Sequence, residues 1–237
     1  MDITGLRAVV DDRYAQLDLP SWPDPHPDLT SPAEEEYGRV SDPTRYRVVV
    51  HRAWLWVDVI AGLDGVTSEA LTSRELAGSD EEGRHVRGAR LVSTRAGTLP
   101  LLVIEHATPS RDHGQPAMPG VRIAVGGASS VVGWVPGCGC DACDDGSQTI
   151  VEEVDAVFAR VLEGPYVAVT GRGWHAEWHP TGMSYGSEAG ADEPPGLDDL
   201  LGQLREGDEV ELPEGATAVV SRGWLDGDEA VISRLGR

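Results

Sequence analysis

Residues 148–163 read QTIVEEVDAVFARVLE, and this stretch decides the fold class because it is the clearest amphipathic pattern in the chain. Its apolar side chains recur three and four positions apart, while acidic residues and one arginine occupy the other side. That spacing is typical of a helix that buries one face. Thr149 and Glu152 have capping-box spacing, and Gly164-Pro165 follows. The stretch therefore predicts a helix over 148–163.

A second wide apolar stripe predicts a helix over 43–61. Ser41-Asp42-Pro43 is a helix start, because Asp42 can cap free amides and the missing N–H of Pro43 costs nothing in the first turn. Strand-like runs separated by turns follow, at 90–94, 99–106, 121–125 and 131–135, with a hairpin at 166–170 and 174–178. The pattern predicts an α+β fold, in which helices 43–61 and 148–163 cover one face of a mostly antiparallel sheet.

The chain adds further segments to this core. Residues 2–17 predict an N-terminal amphipathic helix, and the proline-rich residues 19–32 predict an extended arm that Trp22 can pin to the body. Residues 107–120 are predicted to form a surface loop, and residues 182–196 a linker.

We predict two domains on this basis. The first covers residues 1–193, with the N-terminal helix and arm in 1–34, and residues 194–237 form a C-terminal extension. The extension contains one predicted helix and two predicted strands, at 197–204, 209–212 and 217–221.

The composition excludes some classes of partner. The formal net charge is −21, lysine is absent, and no basic stripe is visible. Because that charge repels phosphate backbones, we expect no nucleic-acid binding. No apolar run approaches the roughly 18 residues of a membrane span, and the first residues lack the pattern of a signal peptide. We therefore expect a cytoplasmic protein without a membrane partner, and an unknown protein partner is compatible with the sequence.

All three cysteines, Cys138, Cys140 and Cys143, lie within six positions in the stretch GCGCDACDDGS, residues 137–147. A turn through Gly139 would let their sulfurs converge on a sphere of about 2.3 Å around a zinc ion. We predict a structural zinc site with these three ligands. A histidine carried there by a neighbouring strand could be the fourth, from His106, His113, His175 or His179.

Two other interpretations of the cysteines stay open. Cys140 and Cys143 could form a redox dithiol that Cys138 resolves, or the three could be inert thiols that pack a turn. The neighbouring acids are Asp141, Asp144 and Asp145. Their charge disfavours an uncoordinated thiolate and favours a bound dication, so zinc is the preferred interpretation.

A second polar group lies in WHAEWH, residues 174–179. Strand alternation places His175, Glu177 and His179 on one face. Two histidines at this spacing can share a metal, whereas the simpler interpretation is an amphipathic strand with a solvated polar face. Phosphate-binding, dinucleotide-binding, nucleophile-elbow and zincin motifs are absent from the sequence, so we predict no catalytic residues.

The stretch Tyr37–Tyr46, YGRVSDPTRY, followed by CGCDACD at residues 138–144, resembles an uncharacterised family of high-GC Gram-positive bacteria, a domain of unknown function. The resemblance covers residues 35–180 and implies a small α+β domain without a known activity, substrate or partner. The chain departs from the family by carrying the arm, the loop at 107–120 and the tail after residue 194, so the resemblance implies nothing about these parts.

The sequence thus favours a non-catalytic binding or regulatory module with a zinc-held cysteine turn. Candidates for its contact surface are Trp22, Trp174, Trp178 and the loop at 107–120. The alternative is a thiol/disulfide oxidoreductase that uses Cys140 and Cys143. An immunity-like protein that neutralises a toxin is compatible with the acidity and size.

Overall fold

The computed structural model describes residues 2–27, 31–77, 84–109, 115–189, 191 and 194–225. These residues form an α+β fold with two antiparallel sheets, which confirms the predicted fold class. The helices are α1 (Ile3–Tyr14), α2 (Arg47–Ala61), α3 (Ser73–Ala77), α4 (Gly146–Leu162) and α5 (Leu197–Glu206). Three short 3-10 turns lie at Glu34–Glu36, Pro43–Tyr46 and Asp141–Cys143.

Nine strands lie within the described residues. They are β1 (Val66–Ala70), β2 (Arg84–Ser93), β3 (Leu101–Thr108), β4 (Met118–Val125), β5 (Val131–Val135), β6 (Tyr166–Gly171), β7 (Trp174–His179), β8 (Gly182–Ser187) and β9 (Thr217–Ser221). The first five form one sheet in sequence order, and the last four form a second sheet in the order β8-β7-β6-β9.

The described chain divides into two compact units. The first contains the described residues of Thr4–Val92 and Pro100–Phe158. In it, β2 to β5 form the predicted antiparallel meander, and α2 packs against β3 and β4. The predicted helix start is confirmed, since the Asp42 side chain accepts a hydrogen bond from the Thr44 amide at 3.1 Å.

Helices α2 and α4 pack together in this first unit. The rings of Trp56 on α2 and Phe158 on α4 stack at 5.3 Å between centroids, and both side chains are fully buried. Val157 on α4 occupies the space over Gly133 of β5, where an added Cβ would lie 2.4 Å from a Val157 methyl group. The buried faces that define the two helices in the sequence therefore meet each other as well as the sheet.

The second unit contains the described residues within 1–3, 93–99 and 159–237. Helix α5 packs on β6 and β7, and a small core of buried side chains joins them. Its members are Val167, Val169, Trp174, Ala176, Leu197 and Leu201. The predicted hairpin of β6 and β7 and the predicted strand at 217–221 are both confirmed. The predicted domain boundary after residue 193 stays a prediction.

The structure corrects several local predictions. Residues 182–187, predicted as part of a linker, form β8 and pair with β7, and residues 209–212, predicted as a strand, have no regular structure. Both ends of the predicted loop at 107–120 belong to strands, because β3 extends to Thr108 and β4 begins at Met118. Residues 110–114 lie outside the described residues. Among the helices that the structure describes, none has the length and apolarity to cross a membrane.

Candidate metal centre

The cysteine turn, residues 137–144, lies in the first unit between β5 and α4. The three sulfur atoms all lie within 4.8 Å of one another, and Sγ of Cys138 is 3.3 Å from Sγ of Cys140. All three cysteines are free thiols; Cys140 is buried, whereas Cys138 and Cys143 are exposed. The predicted convergence of the sulfurs is therefore present, and the cluster can hold a single metal ion.

Gly139 allows the turn to close for a steric reason. A Cβ at this position would lie 2.0 Å from the Met118 sulfur of β4 and 3.4 Å from the Tyr46 ring. Its φ is outside the left-handed region, so close packing of the backbone, not a special conformation, requires glycine here. The turn is thereby seated against the sheet and against the start of α2.

The thiols influence one another's protonation. Burial raises the pKa of Cys140, but hydrogen bonds with the Gly38 backbone and with the other two thiols outweigh this effect and hold its pKa below the ordinary value. Hydrogen bonds with Cys140 and Cys138 raise the pKa of Cys143 to about 12. Of these two thiols, the buried Cys140 therefore loses its proton more readily than the exposed Cys143.

Asp141 ties the turn to the segment before α2. Its carboxylate accepts hydrogen bonds from Nε of Arg39 at 2.7 Å and from the amide and hydroxyl of Ser41 at 3.0 and 2.6 Å. The Asp141 amide in turn donates to the Arg39 carbonyl at 2.7 Å. Burial alone would raise the pKa of Asp141, but the hydrogen bonds from Arg39 and Ser41 lower it.

Asp144 makes the corresponding contact with the arm. Its side chain is only 4% exposed and accepts from Arg45 at 2.8 Å and from the indole N–H of Trp22 at 2.9 Å. Arginines therefore neutralise two of the three acids near the sulfurs. These ion pairs reduce the negative field that Asp141 and Asp144 contribute at the sulfurs, whereas Asp145 is exposed. That the neighbouring acids favour a bound dication stays a prediction.

The arm is held against the start of α4. The Trp22 carbonyl accepts from the Ser147 amide at 3.0 Å, and the Trp22 amide donates to the Ser147 hydroxyl at 3.1 Å. Gly146 has a φ of +85°, and a Cβ there would lie 2.6 Å from the Asp24 nitrogen, so both conformation and space require glycine. The Arg45 guanidinium lies 5.0 Å from the Trp22 ring centroid. The prediction that Trp22 anchors the arm is confirmed.

The predicted fourth ligand is not found among the histidines that the structure describes. No described histidine, aspartate or glutamate joins the three sulfurs within 4.8 Å. His106 is buried in the first unit, with its ring 4.8 Å from that of Trp134. His175 and His179 belong to the second unit, and His113 lies outside the described residues.

The polar face of β7 is not solvated as the simpler interpretation expected. Glu177 and His179 are buried, and only His175 is exposed. The Glu177 carboxylate accepts from the Tyr166 hydroxyl at 2.9 Å and from the Ser184 hydroxyl at 2.8 Å. Burial raises the pKa of Tyr166 and lowers the pKa of His179. This face is a buried hydrogen-bonded network within the second unit.

The tryptophans named as a contact surface are engaged within their own units. Trp22 is half-buried under Arg45, Trp174 is buried, and the Arg205 guanidinium lies 4.9 Å from the ring centroid of Trp178. These contacts favour packing roles for all three side chains.

A comparison with protein families finds one matching family model. A family model described as "Family of unknown function (DUF6226)" matches residues 10–228. The chain belongs to this family. The match includes the arm, the loop at 107–120 and most of the tail, so the expectation that the family likeness stops at residues 35–180 is wrong. No curated protein and no solved structure matches the chain significantly.

Sequence reasoning missed the residues that surround the cysteine turn. Arg39, Ser41 and Arg45 bind Asp141 and Asp144 from about 100 positions away. The stretches YGRVSDPTRY and CGCDACD, residues 37–46 and 138–144, are the two halves of this contact. It joins residues about 100 positions apart, which no local pattern in the sequence indicates.

Proposed function

We propose that the chain is a non-catalytic cytosolic binding or regulatory module whose cysteine turn is held by one zinc ion bound to Cys138, Cys140 and Cys143. The observation that carries this proposal is the convergence of the three sulfurs to within 4.8 Å. In a regular tetrahedron, donors at about 2.3 Å from zinc lie about 3.8 Å from each other. The spacing suits a single ion without a large movement of the backbone. The free thiols also fit a reducing compartment.

The surroundings of the sulfurs favour a structural role for this ion. Cys140 and Cys143 are each followed by an aspartate, and these aspartates hold the segment before α2 and the arm. Because Arg39 and Arg45 bind the two carboxylates, neither is available as the general base that a catalytic zinc needs. An ion that fixes the sulfurs would also fix the carboxylates attached to the same short backbone segment.

Elemental analysis of the full chain, purified without chelator, tests the proposal. We expect one zinc per chain, and less than about a tenth of an equivalent after Cys140→Ser, because thiolate sulfur is the preferred zinc ligand. Ser147→Ala is a matched control that alters a neighbouring contact and leaves the sulfurs in place. Less than about a tenth of an equivalent in the unaltered protein, with all thiols reduced, would overturn the proposal.

The alternative function is a thiol/disulfide oxidoreductase that uses Cys140 and Cys143. Its strongest support is the lowered pKa of Cys140, which resembles that of an activated thiol. However, Cys140 is buried, and the exposed Cys143 has its pKa raised to about 12. A redox nucleophile has to combine exposure with a low pKa. An accessible cysteine that titrates well below pH 7 in metal-free folded protein would favour the oxidoreductase.

A further inference from the structure

Two sulfurs of the cysteine turn lie closer together than a tetrahedral ion holds its ligands. Sγ of Cys138 is 3.3 Å from Sγ of Cys140, and all three sulfurs lie within 4.8 Å of one another. Donors about 2.3 Å from a tetrahedral zinc ion would be about 3.8 Å apart. The short separation therefore favours an element that holds its sulfur ligands at smaller angles.

Arsenic(III) is an element of this kind. It binds three sulfurs as the base of a pyramid, and a lone pair of electrons occupies the opposite side. Its bonds to sulfur are about as long as those of zinc, but its bond angles are smaller than tetrahedral, so its sulfurs lie nearer than about 3.8 Å. Soft thiolate donors select soft acceptors. The three sulfurs that the turn supplies complete this coordination, whatever other side chains lie nearby.

A cavity gives a small molecule access to these sulfurs. It has a volume of about 180 Å³, and both exposed cysteines, Cys138 and Cys143, line it, whereas Cys140 is buried. A water molecule occupies about 30 Å³ in the liquid, so arsenous acid, As(OH)₃, fits into the cavity with its four non-hydrogen atoms. The two exposed thiols can react first, and the buried thiol then forms the third bond.

The charge of the chain distinguishes arsenous acid from related anions. Arsenous acid is uncharged at neutral pH, and its complex with three thiols is uncharged as well. The formal net charge of −21 therefore does not oppose its binding. An oxyanion of arsenic(V), arsenate, is repelled by the same charge and offers no free pair for a pyramidal site.

We propose that the cysteine turn binds arsenic(III) through Cys138, Cys140 and Cys143, and that arsenic replaces zinc there. Three S–As bonds form as three As–O bonds break, and each hydroxide leaves as water with one thiol proton, so no atom is oxidised or reduced. In the zinc-loaded protein, solvent supplies these protons and Zn²⁺ is released. The inference deepens the proposed function by naming a chemical effector of the same turn, but the binding step itself needs only the thiols.

Native mass spectrometry of the full chain, with sodium arsenite as the probe, tests this site. The thiols are reduced with a phosphine, because a thiol reductant would bind arsenic itself. Three S–As bonds add the mass of one arsenic atom minus three hydrogen atoms, whereas a complex with two bonds keeps one hydroxide and is heavier by one water. We expect one arsenic per chain in the three-bond form, with loss of zinc, and no adduct with arsenate.

Substitution of the exposed cysteines shows whether all three sulfurs take part. Cys138→Ser and Cys143→Ser each remove one exposed sulfur and leave buried Cys140 in place. We expect each variant to form only the heavier two-bond adduct and to bind arsenite about a hundredfold more weakly, which is the low end of what an additional tethered donor contributes. Ser147→Ala is the matched control, because it keeps all three sulfurs, and its affinity for arsenite should be unchanged.

The outcomes separate this inference from the proposed function. An adduct that keeps a hydroxide in the unaltered protein overturns the arsenic site, as does an affinity that neither cysteine variant lowers. If one zinc is bound per chain and excess arsenite leaves it in place, the arsenic site is overturned and the zinc proposal stands. If the protein contains no zinc but forms the three-bond adduct, the proposed function is overturned and the arsenic site stands.

Discussion

Asp144 is the side chain through which the cysteine turn holds the arm, and its replacement by asparagine tests that contact. The carboxylate is 4% exposed and accepts from Trp22, Arg45 and the Gly146 amide. Asparagine offers one oxygen, and its amide group would face at least one of these donors. Hydrogen bonds to charged groups contribute about 1.5–3 kcal/mol each. Because Arg45 is 17% exposed and can regain water, we expect Asp144→Asn to weaken arm docking by about 2–3 kcal/mol.

Hydrogen exchange of the Trp22 indole N–H measures this loss locally. The chain has seven tryptophans, and Trp22→Phe identifies the relevant signal in a nitrogen–proton NMR spectrum. A loss of about 2–3 kcal/mol makes exchange about 30- to 150-fold faster, since each 1.4 kcal/mol is about a factor of ten.

Asp145→Asn is the control for this measurement. It also removes one carboxylate charge, but from the next residue along the chain, whose side chain is exposed. It should change the exchange rate less than about threefold, as surface substitutions do. If exchange in Asp144→Asn stayed within the range of this control, the carboxylate would not hold the arm, and the reasoning would be refuted.

Two further predictions concern packing in the first unit. Gly139→Ala should lower the free energy of unfolding, measured by urea denaturation, by about 1–3 kcal/mol, because the new Cβ would meet the Met118 sulfur. Gly127→Ala is the control, since a Cβ there meets nothing within 4 Å. Equal effects of the two substitutions would contradict the steric argument. Asp155→Leu should lower the free energy of unfolding by about 3–5 kcal/mol, because it removes the carboxylate that accepts two hydrogen bonds from the buried Arg52 guanidinium. Adding Arg52→Met should recover at least half of that loss in the same assay, and a double variant no more stable than the single one would count against this explanation.

The fold could be predicted where local patterns coincide with tertiary packing. Helix α4 and the meander were predicted because their apolar side chains recur at regular spacing and are buried in the structure. Strands β1 and β8 could not be predicted, since their side chains are mostly exposed and give little hydrophobic pattern. Such strands form because a neighbouring strand offers a free edge, and only the three-dimensional arrangement contains that information.

The candidate site was predictable in its sulfurs but not in its electrostatics. Cys138, Cys140 and Cys143 are close in sequence, so a single turn brings them together. The carboxylates of Asp141 and Asp144 are paired with arginines that approach from another part of the chain. The sign of a local electrostatic field follows from all charges nearby, and a count of neighbouring acids in the sequence omits the distant ones.

The alternation of cysteine and aspartate gives the turn a linking role. Cys140 and Cys143 point their sulfurs toward one another, while the residues that follow them bind the segment before α2 and the arm. If a metal fixes the sulfurs, the two carboxylates lose freedom at the same time, and arm docking becomes more favourable. Thermodynamic linkage makes the effect reciprocal, so a docked arm must strengthen metal binding by the same factor. Under the proposed function, the arm and the metal are thus two ligands of one turn, and each stabilises the bound state of the other.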